Sequence, residues 1–267
     1  TRRWNPKMEQ YIFGVRNKIH IIDLRITLPL INNALAKLYN VVSKSGKVLI
    51  VGTKKQSSTI VKNIALETQQ FFVNKRWLGG TLTNWKTISN SIKKLNEHEL
   101  ILSDKNTNIN LSKKELLNIS REKEKLNLNI GGIRNLGGLP DIVVVFDAVK
   151  DKLAILESKK LNIPVIAILD TNANPDLVDF PIPGNDDALR SINLYAELFK
   201  TTIIEAKKNI SFSEEENSKE EKISNVNFNP QIVTRTVINH CLSLMFLSLN
   251  KKFINIALQA KTINEKP

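Results

Sequence analysis

The sequence predicts an α/β protein, a three-layer α/β/α domain on a mainly parallel, flavodoxin-like sheet. Three observations predict it. Residues 47–51, 141–146 and 164–169 are short, almost unbroken apolar runs, as strands covered on both faces require. Residues 152–160, between the last two runs, keep helical spacing, and such a strand–helix–strand unit joins parallel strands by a right-handed crossover. Gly52 and Asp170-Thr171-Asn172 follow strand ends, where open α/β sheets place ligands.

Taken in order, residues 1–8 (TRRWNPKM) read as a basic extended arm. Arg2, Arg3 and Lys7 are available for phosphates, and Trp4 for stacking or packing. IHIIDL at 19–24 is a short strand, with His20 a half-buried histidine rather than a ligand. Thr27 is placed to cap a helix with Pro29 in its first turn, and apolar spacing carries that helix to Val42. Gly46 ends it. After the strand at 47–51 comes GTKKQSS, then a second amphipathic helix. The order suits anion binding, but neither the P-loop nor the dinucleotide spacing is present. Lys54 and Lys55 are read as contacts to a polyanion backbone.

Residues 71–73 form the next strand and lead into 74–87, NKRWLGGTLTNWKT. Lys75, Arg76, Trp77, Gly79, Gly80, Trp85 and Lys86 crowd into this stretch without an acid. Arg and Lys donate to phosphate oxygens, glycine allows close backbone approach, and tryptophan either stacks or braces the turn. Two helices follow across a polar turn (SDKNTNIN), the second opened by a Ser112–Glu115 capping box. They read as an antiparallel, coiled-coil-like hairpin. GGIRNLGGLP at 131–140 returns the chain to the sheet, with Arg134 as an exposed contact. Asp170, Asp179, Asp186 and Asp187 lie near strand ends. They read first as structural acids, with Asn185 or Asp186 capping a helix. Residues 211–222, SFSEEENSKEEK, are acidic and of low complexity.

The division follows: 1–92 and 131–200 form the α/β core, 93–130 the inserted hairpin, 201–230 an acidic linker, and 231–267 a helical C-terminal extension. The net charge is +13, and it is unevenly placed. Residues 1–92 hold fifteen cations and three acids, while 131–267 are nearly balanced. Such one-sidedness calls for an anionic partner, nucleic acid first. A single cysteine, Cys241, excludes an internal disulfide and a cysteine-cluster metal site. No apolar run approaches the roughly 18 residues of a membrane span, and an anionic membrane surface, the second candidate for the basic third, is disfavoured by the lack of a strong basic amphipathic helix or lipidation motif; no membrane partner is expected. No cofactor and no metal are expected either. The rival reading is a Mg²⁺-dependent phosphohydrolase or nucleotide-binding α/β enzyme using the strand-end acids; the missing phosphate loop disfavours it.

Six blocks carry a resemblance: TRRWNPKM, YIFGVRNKIHIIDL, NKRWLGGTLTNWKTISNSI, GGIRNLGGLPD, NIPVIAILDTNANPD and FPIPGNDDALRSINLY. In that order they closely resemble the family of protein two of the small ribosomal subunit, from Thr1 to about Phe199. The resemblance implies a non-catalytic ribosomal protein with a three-layer core and an inserted helical hairpin. It implies binding to small-subunit rRNA at the solvent-side head–body boundary, beside other small-subunit proteins and without homo-oligomers. In bacteria one family neighbour is the large multi-domain OB-fold protein that helps recruit mRNA. YIFGVRNKIHIIDL and LTNWKTISNSI look α-proteobacterial or mitochondrial. The tail after Phe199 favours a mitochondrial ribosome in the matrix, with the bacterial cytoplasm as the alternative.

Overall fold

The computed structural model describes residues 4–103 and 112–217, the last eight by backbone alone. A 3-10 turn, Pro6–Tyr11, opens the described chain; the Asn5 side chain accepts from the Lys7 N–H and the Asn5 carbonyl from the Met8 N–H. An antiparallel hairpin follows, β1 (Ile12–Arg16) with β2 (Ile19–Ile22), in a two-stranded sheet of its own. Asn17 and Lys18 make the tight turn at φ 51° and 61°, the left-handed pair that matches hairpin twist. Only β2 was expected. Its partner is polar at one end and contains Gly14, so it shows little strand periodicity.

Helix α1 (Leu24–Val42) starts earlier than Thr27. Asp23 caps it, accepting from the Arg25 N–H at 2.9 Å. Thr27 is buried instead, and its hydroxyl donates to the Pro183 carbonyl at 2.9 Å. Then come β3 (Val48–Val51), α2 (Lys55–Glu67), β4 (Phe71–Val73), α3 (Trp85–Ser103) and α4 (Lys113–Ile130). They are followed by β5 (Ile142–Val145), α5 (Lys152–Lys160), β6 (Val165–Leu169), β7 (Phe180–Pro183) and α6 (Leu189–Asn217).

The five strands β3 to β7 form one parallel sheet in the order β4-β3-β5-β6-β7. This is the flavodoxin-like order, whose direction reverses between β3 and β5. Alternation divides the strand residues between two layers. Leu49, Val51, Val143, Val145, Val165, Ala167 and Leu169 face a core shared with Trp77, Leu82, Leu95, Ile133 and Ile155. The alternate residues face the layer of α1, α2 and α6, where Phe146 meets Phe199 edge-on at 5.9 Å between centroids. β7 was not anticipated, because FPIP carries two prolines. They are tolerated because β7 is an edge strand and Ile182 still packs inward.

The helical hairpin is seated more deeply than its 93–130 division implies. Helix α3 begins at Trp85 and buries Ile88, Ile92 and Leu95. The capping box at Ser112 and Glu115 is present, and α3 and α4 pack together, with Lys94 donating to Glu122 at 2.8 Å. Helix α6 likewise runs past residue 200, burying Thr202, Ile203 and Ala206. The linker assigned from 201 therefore begins, on its N-terminal side, as core helix. The hairpin turn at 104–111, the rest of the linker and the extension at 231–267 lie outside the described residues.

A candidate nucleic-acid interface

The glycine turn at 78–83 is built around a carboxylate. Glu157 on α5 accepts from the Trp77 indole N–H at 3.0 Å and the Gly80 N–H at 2.8 Å through one oxygen. Its other oxygen accepts from Leu82 N–H at 2.9 Å and Thr83 N–H at 3.2 Å. Gly80 sits at φ +86°, which turns successive amides toward one point. Burial pushes the Glu157 carboxyl up, but the donors from Trp77, Leu82, Gly80 and Thr83 outweigh it and hold it below the usual range. The amides expected to approach an external polyanion thus hold the chain's own anion. No sequence signal pairs position 157 with positions 77–83; the long separation hides it.

This anchor fixes the cations beside it. Trp77 is buried, 6% exposed, and Trp85 is half-buried against the same core. Of the two expectations, stacking or bracing, Trp77 takes the second as a core residue, and Trp85 packs beside it against the same turn. Asn74 is tied to α2 from both ends: the Ser58 hydroxyl donates to its carbonyl at 2.7 Å, and its amide donates to the Ser58 carbonyl at 3.2 Å. Lys75 and Arg76 follow directly and are exposed, as is Lys55, one turn before Ser58 on α2. Lys86, in the first turn of α3, is exposed as well. Gly79 is exposed, and a Cβ there would meet nothing within 4 Å.

Four other expectations change. Lys54 is drawn inward, its ammonium 2.7 Å from Asp187, 2.9 Å from Asp186 and 3.3 Å from Asp147. Burial lowers the Lys54 pKa, but hydrogen bonds to Asp187 and Asp186 and the charges of Asp186 and Asp147 reverse this and raise it. It is not free for phosphate. Lys7 pairs with Asp176, and the arm around it is docked: Met8 is fully buried, and the Asn5 N–H donates to the Thr171 carbonyl at 2.7 Å. Trp4 stacks on His20 with centroids 5.3 Å apart and stays 37% exposed. Arg134 pairs with Glu99 at 2.7 Å, tying α3 to the segment that follows α4. Arg2 and Arg3 lie outside the described residues.

The crevice beyond β3 and β5, where this topology usually receives a ligand, is filled from within. Thr53 donates to Asp151 through its N–H at 3.1 Å and its hydroxyl at 2.7 Å. Asp147 accepts from the Val149 and Lys150 N–H groups at 2.9 and 2.8 Å. Asp170, Asp186 and Asp187 bring carboxylate oxygens within 4.8 Å of one another. The cation serving two of them is the Lys54 ammonium. Burial, together with Asp147 and Asp170, overcomes that partner and pushes Asp186 up to about 6. Asp179 is structural and accepts from the Val165 N–H at 2.9 Å. Asn185, not Asp186, receives the Asp187 and Ala188 N–H groups ahead of α6, at 2.8 and 2.7 Å.

The fold and the site together define an α/β scaffold that fills its own ligand crevice and displays cations on a braced loop outside it. The family model of ribosomal protein S2 matches residues 1–206. A small ribosomal subunit protein uS2 of Phenylobacterium zucineum is 53% identical over 205 residues, covering 77% of this chain and 69% of the relative. Those of Caulobacter vibrioides and Ehrlichia ruminantium are also 53% identical, covering 76% and 71% of the relatives. The chain belongs to the ribosomal protein S2 family.

Proposed function

We propose that this chain is a structural constituent of the small ribosomal subunit and grips rRNA phosphates through Lys55, Lys75, Arg76 and Lys86, with Arg2 and Arg3 of the arm. The supporting observation is the braced loop: Glu157 and Asn74 hold Lys75 and Arg76 outward beside Lys55, on a chain of the ribosomal protein S2 family. Phosphate contacts position such a protein and carry little sequence information. Gly79 adds an open point where a backbone can approach. Lys54, Trp77 and Arg134 leave the contact set and become supports, while Trp85 braces the turn. Trp4 keeps one ring face for RNA, and Lys7 anchors the arm.

Neighbouring small-subunit proteins complete the partner set. No helix among the described residues is long and apolar enough to cross a membrane. The relatives are bacterial, and a ribosome of bacterial type is the coarse placement. The finer placement, a mitochondrial ribosome, rests on the tail after Phe199, all but its first few residues beyond the family match. The test is cosedimentation of the full chain with small subunits. The K75E/R76E double reversal is expected to abolish incorporation, and normal incorporation of that variant overturns the RNA assignment. Fractionation of the source cells, with the tagged chain followed into mitochondrial or cytoplasmic ribosomes, decides the placement.

A further inference from the structure

The β1–β2 hairpin is unlike the rest of the surface. Phe13, Val15, Ile19 and Ile21 are 66%, 60%, 61% and 42% exposed, and Leu24 and Leu28 at the start of α1 are 67% and 45% exposed. Six large apolar side chains are therefore open to solvent within sixteen residues. Register puts Ile21 opposite Gly14 and Ile19 opposite Arg16, so the two isoleucines share one face of the ribbon, while Val15 lies on the other with His20. The two strands pair only with each other, so each keeps one edge without a strand partner among the described residues. At the tip, Arg16 and Lys18 are exposed and make no ion pair among the described residues.

We infer that this ribbon is a protein-docking surface: a neighbouring small-subunit protein lays an extended segment of alternating apolar and acidic residues along one open edge, adding a third strand. The inference rests on the ribosomal reading above and names a partner surface for it. Open strand edges supply backbone hydrogen bonds, and alternate side chains of an added strand fall on the apolar face. Exposed patches of this kind mark interaction sites, and an uncovered edge invites uncontrolled pairing. Five of the six side chains are aliphatic, which gain nothing from phosphates and offer no flat ring for a base, and the one ring, Phe13, already carries the Arg25 guanidinium 5.4 Å from its centroid; this favours protein over RNA. Arg16 and Lys18 select an acidic segment, since unpaired cations beside an apolar strip reward opposite charge.

The test places a photo-crosslinking residue at Ile19 in the full chain and incorporates it into small subunits. Position 19 is exposed, so folding is spared. The expected product is a crosslink to an apolar and acidic segment of another ribosomal protein. R16E/K18E is expected to cut its yield by about tenfold while cosedimentation with subunits is unchanged. A crosslink to rRNA, a crosslink to this chain itself, no crosslink in particles that have incorporated the chain, or an unchanged yield in R16E/K18E overturns the docking surface and leaves the RNA reading standing. Failure of the unmodified chain to cosediment overturns both.

Discussion

The Trp77 indole N–H donates to Glu157 at 3.0 Å, and the same carboxylate collects three backbone N–H groups from the turn that follows. A glycine turn that resembles an anion cradle is therefore occupied by an internal anion. Its task is mechanical: it fixes the loop whose other end carries Lys75 and Arg76.

Glu157→Gln keeps the volume but offers one acceptor oxygen to donors that had two, and turns an amide N–H₂ toward N–H groups. Each buried donor left unmade costs about 1–3 kcal/mol. We expect E157Q to lose roughly 2–4 kcal/mol in urea unfolding. The Trp77 indole proton should shift strongly in the NMR spectrum. An unchanged midpoint would show that the cradle contributes nothing.

Salt dependence separates bound lysines from free ones. Each phosphate contact contributes about 0.7–0.9 to the slope of log K against log salt. Neutralising Lys75 and Arg76 to Gln is expected to reduce that slope by about 1.4–1.8 for an rRNA fragment. Lys54→Gln should leave the slope unchanged and lower stability instead, because it strands the buried carboxylates of Asp186 and Asp147. Equal slopes for the two variants would reject the division.

Two glycines make a paired test. A Cβ at Gly132 would lie 2.2 Å from the Phe72 carbonyl oxygen and 2.8 Å from its ring. Gly132→Ala is therefore expected to destabilise the fold by about 1–3 kcal/mol. Gly79 meets nothing within 4 Å, so Gly79→Ala should leave the melting temperature in place. If an RNA backbone approaches at Gly79, the same variant weakens RNA binding. Unchanged affinity would remove Gly79 from the interface.

Acid stability carries two opposite signs. Asp186 has its folded pKa raised to about 6. The folded state thus holds a proton that the unfolded state releases, and stability falls as pH rises from about 4 to 6, by up to roughly 3 kcal/mol. Glu157 is lowered, so its contribution is present above the ordinary glutamate value and is lost as pH falls through its folded pKa. Asp186→Asn should flatten the profile between about pH 4 and 6, and E157Q the loss on the acid side of the ordinary glutamate value. Unfolding free energies across that range check both.

The sequence by itself determined the layers. Apolar runs at 47–51, 141–146 and 164–169 become β3, β5 and β6, because strands buried on both faces leave no room for polar residues. The helical hairpin with its Ser112–Glu115 box, and the concentration of charge in residues 1–92, were equally legible, since capping and composition are local properties. Strands β1 and β7 were hidden by glycine and proline, whose tolerance depends on standing at an edge. Only the tertiary structure decided which cations are free. Lys54 and Lys55 are neighbours in sequence. One turns in to Asp147, Asp186 and Asp187, carried there from the ends of distant strands, and the other faces solvent. Trp77 and Glu157 are likewise eighty residues apart. Charge and hydrophobicity can be read along a chain, but who neutralises whom is set by which strand ends meet.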